Sequence, residues 1–155
     1  MFVKELMTSS PSSCRATDSA NEAARVMWEC DCGSVPVVDG SGSAIGIVTD
    51  RDICMAAYFR GKSLGELKVS DIMSTDLCTV TADTSLAEAE RLMQDRQIRR
   101  LPVVENGSLV GIISLADVAR CASESGDGIG RQPVNGSQDL LRTVEKISEP
   151  RVSYR

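Results

Sequence analysis

The chain repeats itself. Met7, Glu22-Ala23, Arg25, Met27 and Pro36-Val37-Val38 return as Met73, Glu88-Ala89, Arg91, Met93 and Pro102-Val103-Val104, each 66 positions further on. After one extra residue in the first turn, Gly46-Ile47-Val48-Thr49-Asp50-Arg51-Asp52 answers Gly111-Ile112-Ile113-Ser114-Leu115-Ala116-Asp117 at a spacing of 65. A unit of this size cannot bury its apolar face alone. Two copies are therefore expected to pack about a pseudo-twofold axis, cover each other and leave two equivalent clefts between them.

Each copy reads as strand, helix, strand, strand, helix, an α+β pattern. In the second, Cys78-Thr79-Val80 predicts a short strand, and Thr84-Ser85 offers caps for a helix running to about Arg96 with Leu86, Ala89, Leu92 and Met93 on one face. Arg100 to Val104 and Leu109 to Ile113 read as strands joined by a tight turn at Asn106-Gly107, where an Asn-Gly pair supplies positive φ angles. Ser114 then opens a closing helix. In the first copy the matching elements are a helix opened by Ser19 or Ala20, a strand at Val35–Val38, a turn at residues 40–43, a strand at Ala44–Val48, and a helix from Asp50 to about Phe59.

The expected organisation is repeat 1 over residues 1–66, repeat 2 over 67–123, and a tail over 124–155. Residues 60–68 form a connector too short to let the repeats drift apart. The Gly/Ser-rich stretch 123–138 has the composition of a tether. Beyond it, Leu140, Leu141, Val144 and Ile147 make one stripe of a short docking helix over 139–148.

Aromatics are only 3 % of the 155 residues, so the core must be aliphatic. The formal charge of −5 lacks the clustered basic face that nucleic acid requires. No stretch reaches the roughly 18–20 continuous apolar residues of a membrane span, and the N-terminus lacks a basic-then-apolar signal pattern, so a soluble cytoplasmic protein is expected. The six cysteines are expected to be reduced thiols.

The doubled pattern resembles the CBS domain pair, or Bateman module. The resemblance rests on Val35-Pro36-Val37-Val38-Asp39 and Leu101-Pro102-Val103-Val104-Glu105, on Gly46-x-x-Thr49-x-x-Asp52 and Gly111-x-x-Ser114-x-x-Asp117, and on the openings Leu6-Met7-Thr8 and Ile72-Met73-Ser74. It covers residues 3 to 123, and no attached effector domain is expected. It implies two tandem βαββα repeats whose clefts bind an adenosine-containing ligand, of the AMP, ADP or ATP class, with NAD or S-adenosylmethionine as further possibilities. It also implies a regulatory role exercised on an effector protein.

A hydroxyl at a strand-to-helix junction with a carboxylate three residues on sits beside the free N–H groups of a helix N-terminus, a rim suited to a ribose phosphate. Asp52 and Asp117 are the candidates for a ribose diol, and Thr49 and Ser114 for the sugar or α-phosphate. The same spacing is also a helix capping box, worth about 1 kcal/mol without any ligand. Arg51, Arg99 and Arg100 are the phosphate candidates. The resemblance puts the adenine against Val35 and Leu101, with the neighbouring Pro36 and Pro102, and against the first-strand positions Cys14, Thr79 and Val80. The two sites differ, because Arg99-Arg100 corresponds to Gly33-Ser34 and Asp50-Arg51 to Leu115-Ala116.

With no histidine in the chain there is neither a catalytic triad nor a Cys-His pair, and the Cys30-x-Cys32 pair has no second pair to complete a tetrahedral metal site. Neither an enzyme nor a metal site is expected. Cys54, Cys78 and Cys121 read as small buried hydrophobes. Trp28 is expected to pack or to meet a second copy, and a homodimer is expected from the apolar helix faces such modules expose. Two other classes of function remain open: a thiol switch through Cys30 and Cys32, and a structural dimerisation module with no ligand.

Overall fold

The computed structural model describes residues 1–124 and 136–148, so the tether expected at 123–138 falls largely outside the described residues. The described elements are strands β1 (Thr8–Ser9) and β2 (Cys14–Arg15), helix α1 (Ala20–Glu29), strands β3 (Ser34–Val38) and β4 (Ala44–Thr49), and helix α2 (Asp50–Arg60). They continue with α3 (Leu86–Arg96), β5 (Arg100–Glu105), β6 (Ser108–Ser114), α4 (Leu115–Glu124) and α5 (Gly136–Ser148). No described helix is long and apolar enough to cross a membrane.

The chain forms two compact units, and these are not simply its two sequence repeats. One contains Met1–Ser9, Cys78–Val103 and the described residues from Gly111 onward; the other contains Ser10–Leu77 and Val104–Val110. The opening segment of each repeat is exchanged into the unit built around the other. Val3 and Lys4 donate to the carbonyls of Thr84 and Ala82 (2.9 and 3.0 Å), and 66 residues later Val69 and Ser70 donate to those of Asp18 and Ala16 (both 2.9 Å). β1 pairs antiparallel with β6, Thr8 opposite Ile112, giving a sheet of order β1-β6-β5. The second sheet has the order β2-β3-β4.

The exchange explains the glycine of each motif. A Cβ on Gly46 would lie 2.8 Å from the Ser74 carbonyl oxygen, and one on Gly111 would lie 2.6 Å from the Met7 sulfur and 3.2 Å from the Thr8 oxygen. Each glycine thus receives the Met-Ser or Met-Thr opening of the other repeat at close range, against backbone at Gly46 and chiefly against the Met7 side chain at Gly111.

Helix starts follow the expected caps. The hydroxyls of Ser19 and Ser85 accept from the N–H groups of Glu22 and Glu88 (3.4 and 3.2 Å). Asn106 and Gly107 take φ of 50° and 83° in the β5–β6 turn. The core of the second unit is aliphatic: Val35, Val37 and Val48 are fully buried with Ala20, Ala23, Met27 and Ile53. No described aromatic is buried.

Three expectations need correction. Cys78-Thr79-Val80 is not a strand but a single parallel bridge between Val80 and Val103. Val80 donates to the Pro102 carbonyl (3.1 Å), Pro102 has no N–H to return, and the N–H of Thr81 goes to the Thr84 hydroxyl (3.0 Å). Among the cysteines, all free, only Cys14 is buried; Cys54 is exposed, and Cys78 and Cys121 are half-buried. α2 turns Ile53 inward, which leaves the next residue, Cys54, on its outer flank.

The third correction concerns α5, which turns only half of the expected stripe inward: Leu140 and Ile147 are half-buried on either side of Thr143. Leu141 and Val144 are 69 % and 42 % exposed, while Thr143 is fully buried. Gln94 donates from Nε2 to the Thr143 hydroxyl (2.8 Å), and Gln97 donates to the Lys146 carbonyl (3.3 Å). These polar anchors on α3 set the rotation of the helix.

Candidate functional site

Each unit carries one hydroxyl–carboxylate motif at a strand-to-helix junction. In the second unit the antiparallel register of β3 and β4 places Ser34 directly opposite Thr49. Thr49, with φ −115° and ψ 162°, leaves the strand in extended conformation and caps α2. Its N–H and Oγ1 both donate to Asp52 Oδ2 (2.9 and 2.7 Å), and the Asp52 N–H donates back to Oγ1 (3.1 Å). The N–H of Asp50 closes the junction onto the Gly33 carbonyl (3.2 Å).

The other unit reproduces this bond for bond. Ser114 donates from N–H and Oγ to Asp117 Oδ2 (2.8 and 2.6 Å), the Asp117 N–H returns to Oγ (3.3 Å), and the Leu115 N–H reaches the Arg99 carbonyl (2.9 Å). Both pairs are therefore closed capping boxes. Each box occupies one carboxylate oxygen. Asp117 Oδ1 is further engaged by Arg120, whereas Asp52 Oδ1 has no hydrogen bond among the described residues, and Asp52 lines a groove of about 260 Å³ with Met55, Ala56, Phe59, Arg60, Asp71 and Ile72.

The arginines are asymmetric in the way the sequence suggests. Arg51 and Arg99 are exposed and Arg100 half-buried, and none of the three has a side-chain ion pair among the described residues. In the second unit the positions of Arg99 and Arg100 are held by Gly33 and Ser34. Ser34 is 4 % exposed and its hydroxyl has no hydrogen-bond partner among the described residues. Sequence reasoning missed it, because the loss of a partner is decided by which groups fold around a side chain and leaves no trace in spacing.

The apolar candidates are deeply placed. Val35 and Leu101 are 0 % exposed, Cys14 and Val80 are 3 % and 5 % exposed, Pro36 and Pro102 are buried, and Thr79 is half-buried. Cys14 and Val35 belong to the aliphatic core and leave almost no surface, side chain or main chain, for a ligand. Burial, with the Asp18 carboxylate adding to it, pushes the Cys14 thiol up to about 11, so it is not a thiolate at neutral pH.

A second, unanticipated concavity of about 670 Å³ lies at the far end of β3, lined by Ser13, Cys14, Arg15, Asp18, Asp39 and the 40–42 turn. Its polar groups already serve each other. The Arg15 N–H binds Asp18 (2.7 Å), and Asp39 Oδ1 accepts from the N–H and hydroxyl of Ser41 and the N–H of Ser43 (2.8, 2.7 and 3.0 Å). Those bonds hold the Asp39 carboxyl below its usual range. Cys30 and Cys32 turn to different partners, the Ser12 hydroxyl (3.4 Å) and the Ser34 carbonyl (3.3 Å). No group of three potential ligands that could hold a metal occurs among the described residues.

Two repeats with the same exchanged opening, buried Pro-Val strand and hydroxyl–carboxylate cap define a recognisable unit, and the family model for the CBS domain matches residues 3–58 and 69–124. The chain belongs to the CBS domain family. It is a CBS pair 39 % identical over 117 residues to the CBS domain-containing protein YhcV of Bacillus subtilis, spanning 76 % of this chain and 82 % of that one. Among solved structures it resembles the CBS domain pair of protein MJ0100 in complex with 5-methylthioadenosine and S-adenosylmethionine (TM-score 0.74, 25 % identity, 81 % of this chain and 98 % of that one). It also resembles CBSX2 in complex with AMP (TM-score 0.70, 28 % identity, 80 % and 97 %).

Proposed function

We propose that this CBS pair is a regulatory module rather than an enzyme, that it binds an adenosine-containing ligand of the AMP, ADP or ATP class, with NAD and S-adenosylmethionine as the nearest competitors, and that the bound state is read by an effector protein. The observation that carries this reading is the pair of helix N-termini at which Thr49–Asp52 and Ser114–Asp117 each hold a hydroxyl and a carboxylate together. Solved relatives that hold AMP, or 5-methylthioadenosine with S-adenosylmethionine, support it. Asp52 Oδ1 is open to a ribose hydroxyl, and Arg99 and Arg100 supply the positive charge an otherwise acidic chain needs for a phosphate. The Arg99-Arg100 half is suited to the more highly charged ligand, and the Gly33-Ser34 half to a less charged one. A sensor acts only if its two states differ in affinity for the partner.

A second reading, a structural module with no ligand, is favoured by the closed capping boxes, which already use most of the motif's polar groups. Thermal unfolding with AMP, ADP, ATP, NAD and S-adenosylmethionine separates the two. A ligand at about 100 times its Kd stabilises by roughly 2.7 kcal/mol. The expected result is a shift with one adenosine ligand, reduced in Asp52→Ala or Asp117→Ala relative to each variant's own ligand-free midpoint. No shift with any of them would leave the structural module.

A further inference from the structure

The two hydroxyl–carboxylate motifs make the same capping bonds but leave different groups over. An ionised carboxylate offers four acceptor sites, two on each oxygen. In both motifs Oδ2 uses its pair on the N–H and hydroxyl of the capping residue, Thr49 for Asp52 and Ser114 for Asp117. Asp52 retains both sites of Oδ1, which has no hydrogen bond among the described residues. Asp117 retains only one, because Arg120, one turn further along α4, donates to Oδ1 and pairs with its charge. The offset of 65 that relates the motifs puts Met55 where Arg120 stands, and a thioether has no proton to donate. Met55 instead lines the groove beside Asp52. Arg120 therefore sets apart two carboxylates that are otherwise bonded alike.

A ribose presents a vicinal diol, whose two hydroxyls need two open acceptor sites on the carboxylate that holds them. Asp52 offers two, whereas Asp117 offers two only after releasing Arg120. We propose that Arg120 is a specificity-determining residue, closing the Ser114–Asp117 motif to a ribose diol and leaving diol recognition to Thr49–Asp52. This rests on the reading that the motifs bind an adenosine-containing ligand, and it divides the recognition between them. The Arg120 side chain is 67 % exposed and that of Asp117 11 %. An i,i+3 pair so placed is weak, so its release costs a ligand about two- to fivefold in affinity rather than excluding it. The pair also acts on charge. Asp117, neutralised by Arg120 in the unit that carries Arg99 and Arg100, repels a phosphate less than Asp52 does with Asp50 close by in the chain. The first motif thus selects by sugar and the second by charge.

Isothermal titration calorimetry with AMP and 2′-deoxy-AMP reads the diol directly, because the two nucleotides differ by one hydroxyl. In full-length Asp52→Ala, which leaves the Ser114–Asp117 motif, each finds one open site and the two should bind within about twofold of each other. In Asp117→Ala, which leaves Thr49–Asp52, AMP gains a second bond to a charged acceptor and should bind roughly tenfold tighter or more. Adding Arg120→Met to Asp52→Ala should raise AMP affinity about two- to fivefold and create the preference for AMP. The mirror change, Met55→Arg in Asp117→Ala, should erase that preference. A salt bridge with a purely structural role would move the unfolding midpoint and leave the ratio of the two nucleotides alone. An equal preference for AMP in both single-motif proteins would overturn the proposal, as would an Arg120→Met change that leaves AMP affinity unaltered. A fall in affinity would also overturn it and make Arg120 a phosphate contact. Failure of the underlying reading shows separately, as no binding of AMP to the wild type, and removes both.

Discussion

Gly46 and Gly111 occupy equivalent positions in the two repeats, yet alanine should cost very different amounts at the two. At Gly46 the nearest atom to a new Cβ is a backbone oxygen, that of Ser74 at 2.8 Å. That oxygen accepts from the Ile47 N–H (3.0 Å) while the Ser74 N–H donates to the Ile47 carbonyl (2.9 Å), so the strand cannot retreat without stretching both bonds. Overpacking of this kind costs about 1–3 kcal/mol, and weakening two hydrogen bonds adds about 1 kcal/mol. Against this stands a gain of about 0.4–1 kcal/mol from the reduced freedom of the unfolded chain. The net expectation is a loss of roughly 1–3.5 kcal/mol, centred near 2. At Gly111 the nearest atom is the Met7 sulfur at 2.6 Å, the far end of a flexible side chain, and the backbone oxygen of Thr8 is further off at 3.2 Å. Met7 can move to another rotamer, so Gly111→Ala should cost about 1 kcal/mol or less. Urea unfolding followed by circular dichroism, which does not depend on the exposed Trp28, measures both. Adding Met7→Ala should relieve most of the remaining strain in Gly111→Ala, whereas Met73→Ala should do little for Gly46→Ala. Equal costs at the two glycines, or a larger one at Gly111, would refute the assignment of the clash to backbone in one repeat and to side chain in the other.

Other outcomes follow from the same geometry. Because buried Cys14 holds its proton to about 11 while an unfolded cysteine loses it near 9.0, the stability contributed by burying it neutral is complete below pH 9 and is lost as pH rises towards 11. The loss amounts to at most roughly 3 kcal/mol and should be absent in Cys14→Ala, so the stability difference between wild type and the variant should fall across that range. Thr143→Val removes the acceptor for Gln94 in a buried contact and should weaken α5 docking by about 1–2 kcal/mol, seen as faster proteolysis after residue 124 with no change at α1 or α2. Asp52→Ala opens the Thr49 cap and should cost about 1 kcal/mol in the absence of ligand, a baseline that the ligand titrations must subtract.

Much of the fold was legible in the residues. Ser19 and Ser85 before apolar periodic runs, Asn106-Gly107 between two strand-like segments, and the doubled Pro-Val strands each specify local geometry by a mechanism that acts within a few residues. The polar half of the candidate site was legible for the same reason, since a hydroxyl and a carboxylate three apart at a helix start can only cap or bind, and here they visibly cap. Its apolar half was less so: Val35 and Cys14 carry the right pattern, but core packing has claimed their side chains. Of the α5 stripe, Leu140 and Ile147 turn inward as expected while Leu141 and Val144 do not, because the bonds from Gln94 and Gln97, some 49 residues away, centre the inward face on Thr143.

The sequence by itself determined that two copies of one unit exist, where the helices and the tight turn within the repeats begin, that the core is aliphatic, and which pair of hydroxyl–acid motifs stands at helix starts. These depend on backbone conformation and periodicity, which are local. Only the tertiary structure decided that Met1–Ser9 pairs with β6 rather than with its own repeat, that Ser34 is left without a partner, that Cys54 faces outward, and that α5 covers one pair of helices while Trp28, Tyr58 and Phe59 stay bare on the other. An unpaired strand edge or an uncovered helix face accepts any chemically suitable partner, and which one it receives is settled by the packing of segments distant in the chain.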